Sequence, residues 1–120
     1  MDTDDVEWQT LCGSTAWSNE GVFMPIDVVI NFEALPGHED ELLALLIEGR
    51  DLSRVAEGCE TFELFRREDD PNKFMFLERW SSIEAHHESM AVNIVASGHL
   101  ARILPLIVGP PDNGVIHAVA

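Results

Sequence analysis

Residues 57–87 read EGCETFELFRREDDPNKFMFLERWSSIEAHH, and the fold depends on how this stretch divides. Glu57-Gly58-Cys59 marks a chain reversal, since glycine commonly ends a helix in the left-handed conformation. Cys59–Arg67 and Lys73–Trp80 are strand-like runs across the turn sequence Asp69-Asp70-Pro71-Asn72. With Asp69–Asn72 as the loop, Arg67 pairs with Phe74 and Phe65 with Phe76. One hairpin face then carries Phe62, Leu64, Met75 and Leu77, and the other Glu63, Phe65, Phe74, Phe76, Glu78 and Trp80. Ser81-x-x-Glu84 has the form of a capping box and predicts a helix to about Ala96, interrupted at Gly98 before a turn through Leu100–Leu104. A carboxylate, an indole and the pair His86-His87 therefore gather where a hairpin hands over to a helix.

Working outward, Ile26–Ala34 alternates as a strand, with Ile26, Val28, Ile30 and Phe32 on one face and Asp27, Val29, Asn31 and Glu33 on the other. Pro36-Gly37 ends it. A helix is predicted from His38 or Glu39 to Ala56, acidic in its first turn as the helix dipole favours. Leu42, Leu45, Leu46, Leu52 and Val55 form its apolar stripe, and Gly49 falls within it. Downstream, 109–114 reads as loop and Val115–Val119 as a last strand.

The order strand, helix, strand, strand, helix, strand predicts an α+β fold, a ferredoxin-like βαββαβ sandwich. It occupies residues 25–109, after an acidic N-terminal leader (1–24) and before a C-terminal loop and strand (110–120). Ile26, Val28, Ile30, Phe32, Phe62, Leu64, Met75 and Leu77 read as one almost wholly apolar sheet face. With the mixed face under the helices, that apolar face is expected to meet a second copy, giving a homodimer through sheet-to-sheet packing, a dimeric α+β barrel.

The 120 residues suit one domain, and 46% hydrophobic content suits a packed core. A net charge of −15, with only 7 Lys and Arg, argues against nucleic acid and anionic membranes as partners. No apolar run reaches the ~20 residues of a membrane span, and the acidic start predicts no secretory leader and a cytoplasmic location. Cys12 and Cys59 define neither a disulfide framework nor a metal pair. No metal site is predicted, because adjacent helical residues such as His86 and His87 diverge by about 100°. Phosphate loops and serine nucleophile elbows are also absent.

On the second helix Ile83, His87, Met90 and Ile94 recur at helical spacing, which points His87 into the space beneath the helices. Asn31, Phe65, Phe76, Glu78 and Trp80 are expected around it, with His99 bordering the mouth. Such a ring-walled space suits a flat phenolic or quinol ligand. His87 is the candidate general base, Glu78 its alternative, Asn31 a holder of carbonyl or phenolate oxygen, and Trp80 with Phe65 and Phe76 a stacking wall. The competing structural readings are a core role for Trp80 and His87 and ion pairing of Glu63 and Glu78 with Arg66, Arg67 or Arg79. His86 is read as facing the rim.

Pro36-Gly37, Glu57-Gly58-Cys59 with Phe62-Glu63-Leu64, Asp69-Asp70-Pro71, and Glu78-Arg79-Trp80 followed by a helix histidine resemble the antibiotic biosynthesis monooxygenase family over about residues 26–107. The resemblance implies homodimers of ferredoxin-like subunits that oxidise phenols or quinols with molecular oxygen, without metal or flavin. It assigns Asn31, Trp80 and His87 as catalytic, and no cofactor. A haem-degrading branch of the family uses a similar trio, but Met90 stands where its histidine would be. The alternatives are thus a haem-handling relative, a non-catalytic ligand-binding dimer, or an isomerase of the same fold.

Overall fold

The computed structural model describes residues 24–119, so all of the expected leader except Met24 lies outside the described residues. The elements run β1 (Ile26–Glu33), α1 (Glu39–Arg54), β2 (Cys59–Arg66), β3 (Lys73–Trp80) and α2 (Ile83–Ser89). A π-helical segment (Met90–Val95), α3 (His99–Ile103), a 3-10 turn (Leu104–Leu106) and β4 (Asp112–Ile116) complete them. All strand pairs are antiparallel in the order β2-β3-β1-β4, the ferredoxin-like arrangement.

The residues under the helices are not those expected. In register, Ile26, Val28, Ile30 and Phe32 lie opposite Trp80, Glu78, Phe76 and Phe74, and Phe62 and Leu64 opposite Glu78 and Phe76. All of these are buried except Leu64, which packs against the core from its edge. Of the apolar face assigned to a partner copy, the β1 residues with Phe62 and Leu64 are therefore covered by the protein's own helices, while Met75 and Leu77 lie on the opposite face. The open face carries Val29, Asn31, Glu63, Phe65, Met75, Leu77 and Arg79. The error traces to one residue at the hairpin: Arg67 N–H donates to the Lys73 carbonyl at 2.9 Å, so the loop is one residue longer than Asp69–Asn72 and Phe65 pairs with Met75. A one-residue slip exchanges the two faces of a strand.

Helix α1 buries Leu42, Leu46, Gly49 and Ser53, a stripe at i, i+4, i+7, i+11. Leu52 and Val55 fall outside it, and Val55 is 85% exposed. The cap of α2 is Ser82, whose Oγ accepts from Ala85 N–H at 3.1 Å, rather than Ser81. Strand β4 starts three residues earlier than its apolar residues suggest, because backbone pairing with β1 sets its place; Gly114 lies opposite Val29. No helix among the described residues is long and apolar enough to cross a membrane.

Candidate active site

Strand β3 places one carboxylate in the middle of an otherwise apolar layer. Glu78 shares the helix side with Phe76 and Trp80 by strand alternation and is 1% exposed. Its Oε1 accepts a hydrogen bond from Trp80 Nε1 at 2.8 Å, while Oε2 is buried with no hydrogen-bond partner among the described residues. The expected ion pairs with arginine are not formed: Glu63 pairs with Arg54, and Arg79 with Asp27 and Glu60.

His86 comes down from α2 onto this pair. It is fully buried, with Nε2 3.8 Å from Glu78 Oε1 and its ring 5.6 Å from the Trp80 ring in an edge arrangement. His87 is only half-buried, its ring 5.7 Å from that of His86. A straight helix drawn from Ile83 to Ile94 passes through His87. The real path does not, because Met90–Val95 is π-helical, with Ala96 N–H donating to the Ala91 carbonyl at 2.9 Å. A π turn adds a residue to the helical repeat, so α2 buries Ile83, His86 and Ser89 while Ile94 still reaches the core.

Between sheet and helices lies a cavity of about 40 Å³. Phe62, Phe76 and Glu78 form part of its floor, and Met90, Ile94 and His99 part of its roof. His99 follows Gly98, whose φ of +84° turns the chain into α3, and its ring is 3% exposed. Gly49 makes room for that ring: a Cβ there would stand 2.9 Å from His99 Nε2.

Of the residues expected at the site, Phe76, Glu78, Met90, Ile94 and His99 thus line one space. Trp80 and Ile83 are buried in the core behind it. Asn31 and Phe65 are not there; they border a separate groove of about 450 Å³ on the open face, and Phe65 is 46% exposed. His87 does not line the cavity, and the rim position given to His86 is likewise corrected. The signal for His86 was its i+3 spacing from Ile83, as valid for a helix face as i+4. Among the described residues no three His, Cys, Asp or Glu side chains are grouped to hold a metal ion.

Burial pushes Glu78 up to about 8, partly offset by the Trp80 hydrogen bond. His86 is pushed down to about 3, by burial first and by His87 second. The pair therefore holds one proton across the neutral range, and burial keeps it on the carboxyl instead of creating two buried charges. This has a consequence for stability. Glu78, with a folded pKa above its ordinary 4.5, costs stability progressively as pH rises from there to about 8. His86, with a folded pKa below its ordinary 6.5, costs stability as pH falls from there to about 3. The two slopes oppose each other between 4.5 and 6.5, and only the Glu78 slope remains above. Stability is expected to fall by about 1.4 kcal/mol per pH unit over that upper range, roughly 2 kcal/mol in all. Urea midpoints at the two ends of the range measure it. Glu78→Gln should flatten the alkaline limb, and equal limbs in the two proteins would refute the assignment.

Residues 25–92, more than half of the chain, match the antibiotic biosynthesis monooxygenase family, and the protein belongs to that family. Its fold is similar to that of Rv0793 from Mycobacterium tuberculosis, with a TM-score of 0.71 and 23% identity over 80% of this chain and 96% of that one. SnoaB, a cofactor-independent oxygenase from Streptomyces nogalater, is similar with a TM-score of 0.68 and 17% identity over 78% of this chain and 92% of that one. A further antibiotic biosynthesis monooxygenase shows 0.67 and 23%, over 79% and 99%. No curated protein matches the chain.

Proposed function

We propose that the protein is a cofactor-independent monooxygenase that oxidises a small, uncharged phenolic or quinol substrate with molecular oxygen, at the cavity between sheet and helices. One observation carries this reading: among the described residues a single carboxyl group, Glu78, stands in an aromatic and aliphatic cavity, one oxygen held by Trp80 and the other without a partner there. A carboxyl kept protonated near neutral pH can donate a proton to an oxygen that gains charge during reaction, then take one back. Such a reaction draws its electrons from the substrate ring, so it needs a site that is dry, ring-lined and equipped to move protons. Family membership and the likeness to a cofactor-independent oxygenase support the same reaction class. A second copy of the chain would cover the open face, where Val29, Phe65, Met75 and Leu77 lie together.

The cavity is about 40 Å³, far below the roughly 300–1,000 Å³ of small-molecule sites. A ring enters only when the roof lifts. That roof is built from short pieces, the π segment and a five-residue α3 joined across Gly98, which is where a helical layer opens most cheaply.

Oxygen-electrode recordings with a panel of hydroquinones and hydroxynaphthalenes test the reading. Uptake stoichiometric with quinone formation is expected, and Glu78→Gln should lower kcat by ~10²-fold or more, as loss of a general acid–base group does. Product formation in the absence of oxygen would replace this reading with isomerisation.

A further inference from the structure

We propose that His99 is the base that removes the substrate's hydroxyl proton, paired across the cavity with Glu78 as the acid; the inference rests on the oxygenase reading above. Its ground is geometric. Two buried titratable side chains line the same small space from opposite layers, Glu78 from β3 in the floor and His99 from α3 in the roof. Neither is there by default of packing. Glu78 interrupts an apolar sheet face, and the His99 ring occupies space that exists because residue 49 has no side chain.

The surroundings of His99 suit a base. Among the described residues neither ring nitrogen has a partner in full hydrogen-bond geometry. The nearest carboxylate is Glu48, with Oε1 3.8 Å from Nδ1, and Glu48 is shared with Arg102 at 3.3 Å. Glu48 and the Leu45 backbone favour the charged ring and Arg102 disfavours it, but burial is the largest influence and holds the imidazole neutral. Facing groups driven to opposite uses of a proton are the usual mark of an acid and a base. Glu78 is protonated and can give; His99 is neutral and can take.

The pair also balances the chemistry. His99 takes the hydroxyl proton, and the resulting enolate carbon bonds to oxygen, transferring two electrons to it. Glu78 protonates the terminal oxygen, giving a ring hydroperoxide and a carboxylate. That carboxylate then takes the C–H proton from the same carbon. The C–H electrons form the new C=O bond as the O–O bond breaks, and the leaving hydroxide collects the proton held on His99. One phenol and one O₂ become one quinone and one water, and both side chains return to their starting state.

Two readouts separate this inference from the reading beneath it. The first is the absorption spectrum of bound 4-nitrophenol, which reports ionisation of a phenol without turnover. Wild type should ionise the bound probe at lower pH than solution does, and His99→Asn should abolish that shift. The second is oxygen uptake, where His99→Asn should lower kcat/KM by ~10²-fold with loss of the acid limb of the pH profile. Gly49→Ala, which keeps the imidazole but displaces it, should weaken both readouts while circular dichroism shows a folded protein. A His99-dependent probe shift with no oxygen uptake on any phenol would sink the oxygenase reading alone. Oxygen uptake with kcat/KM of His99→Asn within about twofold of wild type would overturn the role of His99. So would a probe that fails to bind, or one that ionises equally in both proteins.

Discussion

Trp80→Ala is expected to destabilise the protein by about 3–5 kcal/mol, the range for truncating a large buried aromatic. Trp80 is 1% exposed and lies between Ile26 and Cys59 on the neighbouring strands. Its loss opens a cavity where sheet and α2 meet. It also removes the donor to Glu78 Oε1, leaving both carboxyl oxygens buried without a partner, an added cost of the kind that unpaired polar groups carry. Trp80→Phe separates the two effects. It keeps an aromatic ring and most of the volume while discarding the indole N–H, so it should cost about 1–2 kcal/mol. Because that N–H is what holds Glu78 down against burial, the phenylalanine variant should also raise the Glu78 pKa further. Chemical denaturation of both variants, with the carbonyl band of protonated Glu78 followed against pH, checks the prediction. A loss below 1 kcal/mol for the alanine variant would mean that the indole is not a support of the site.

Gly58→Ala comes next, at about 2–5 kcal/mol. Gly58 joins α1 to β2 with φ of +88°, where a side chain costs about 1–2 kcal/mol. A Cβ there would sit 2.5 Å from Ala85 Cβ and 2.9 Å from Ser81 Oγ. Crowding of this kind typically adds another 1–3 kcal/mol. Neither neighbour can yield cheaply: Ala85 is on the first turn of α2, and Ser81 N–H donates to the Gly58 carbonyl at 2.7 Å. Gly37 supplies the control. Its φ is +87°, but among the described residues nothing lies within 4 Å of the added atom, so Gly37→Ala should show the backbone strain alone. Thermal unfolding of the two variants therefore measures the contact between the α1–β2 turn and α2 as a difference. Equal losses would show that no crowding exists there.

The element order was legible because it is written locally. Alternation in Ile26–Glu33, helical spacing after Pro36-Gly37, and turn residues at Asp69–Asn72 each depend on residues close in the chain. Faces were not local. Whether Phe62 or Phe65 points to the helices depends on one residue of loop length, and the sequence of the turn accommodates either. Asn31 followed β1, and β1 was matched to the wrong side of the hairpin. His87 failed for a different reason. The π segment changes the helical repeat just beyond it, and nothing in Met90–Val95 announces that departure. Glu78 is the counter-example, since a charged residue between Phe76 and Trp80 on one strand face already marked an anomaly.

The amino-acid sequence by itself determined the family, the βαββαβ order and the presence of a carboxyl between aromatic residues, because these follow from residue types at short separations. Only the tertiary structure decided which sheet face is roofed and that His86 and not His87 meets Glu78. Those outcomes come from strand register and helix repeat, where a shift of one residue costs little locally and redirects every side chain beyond it.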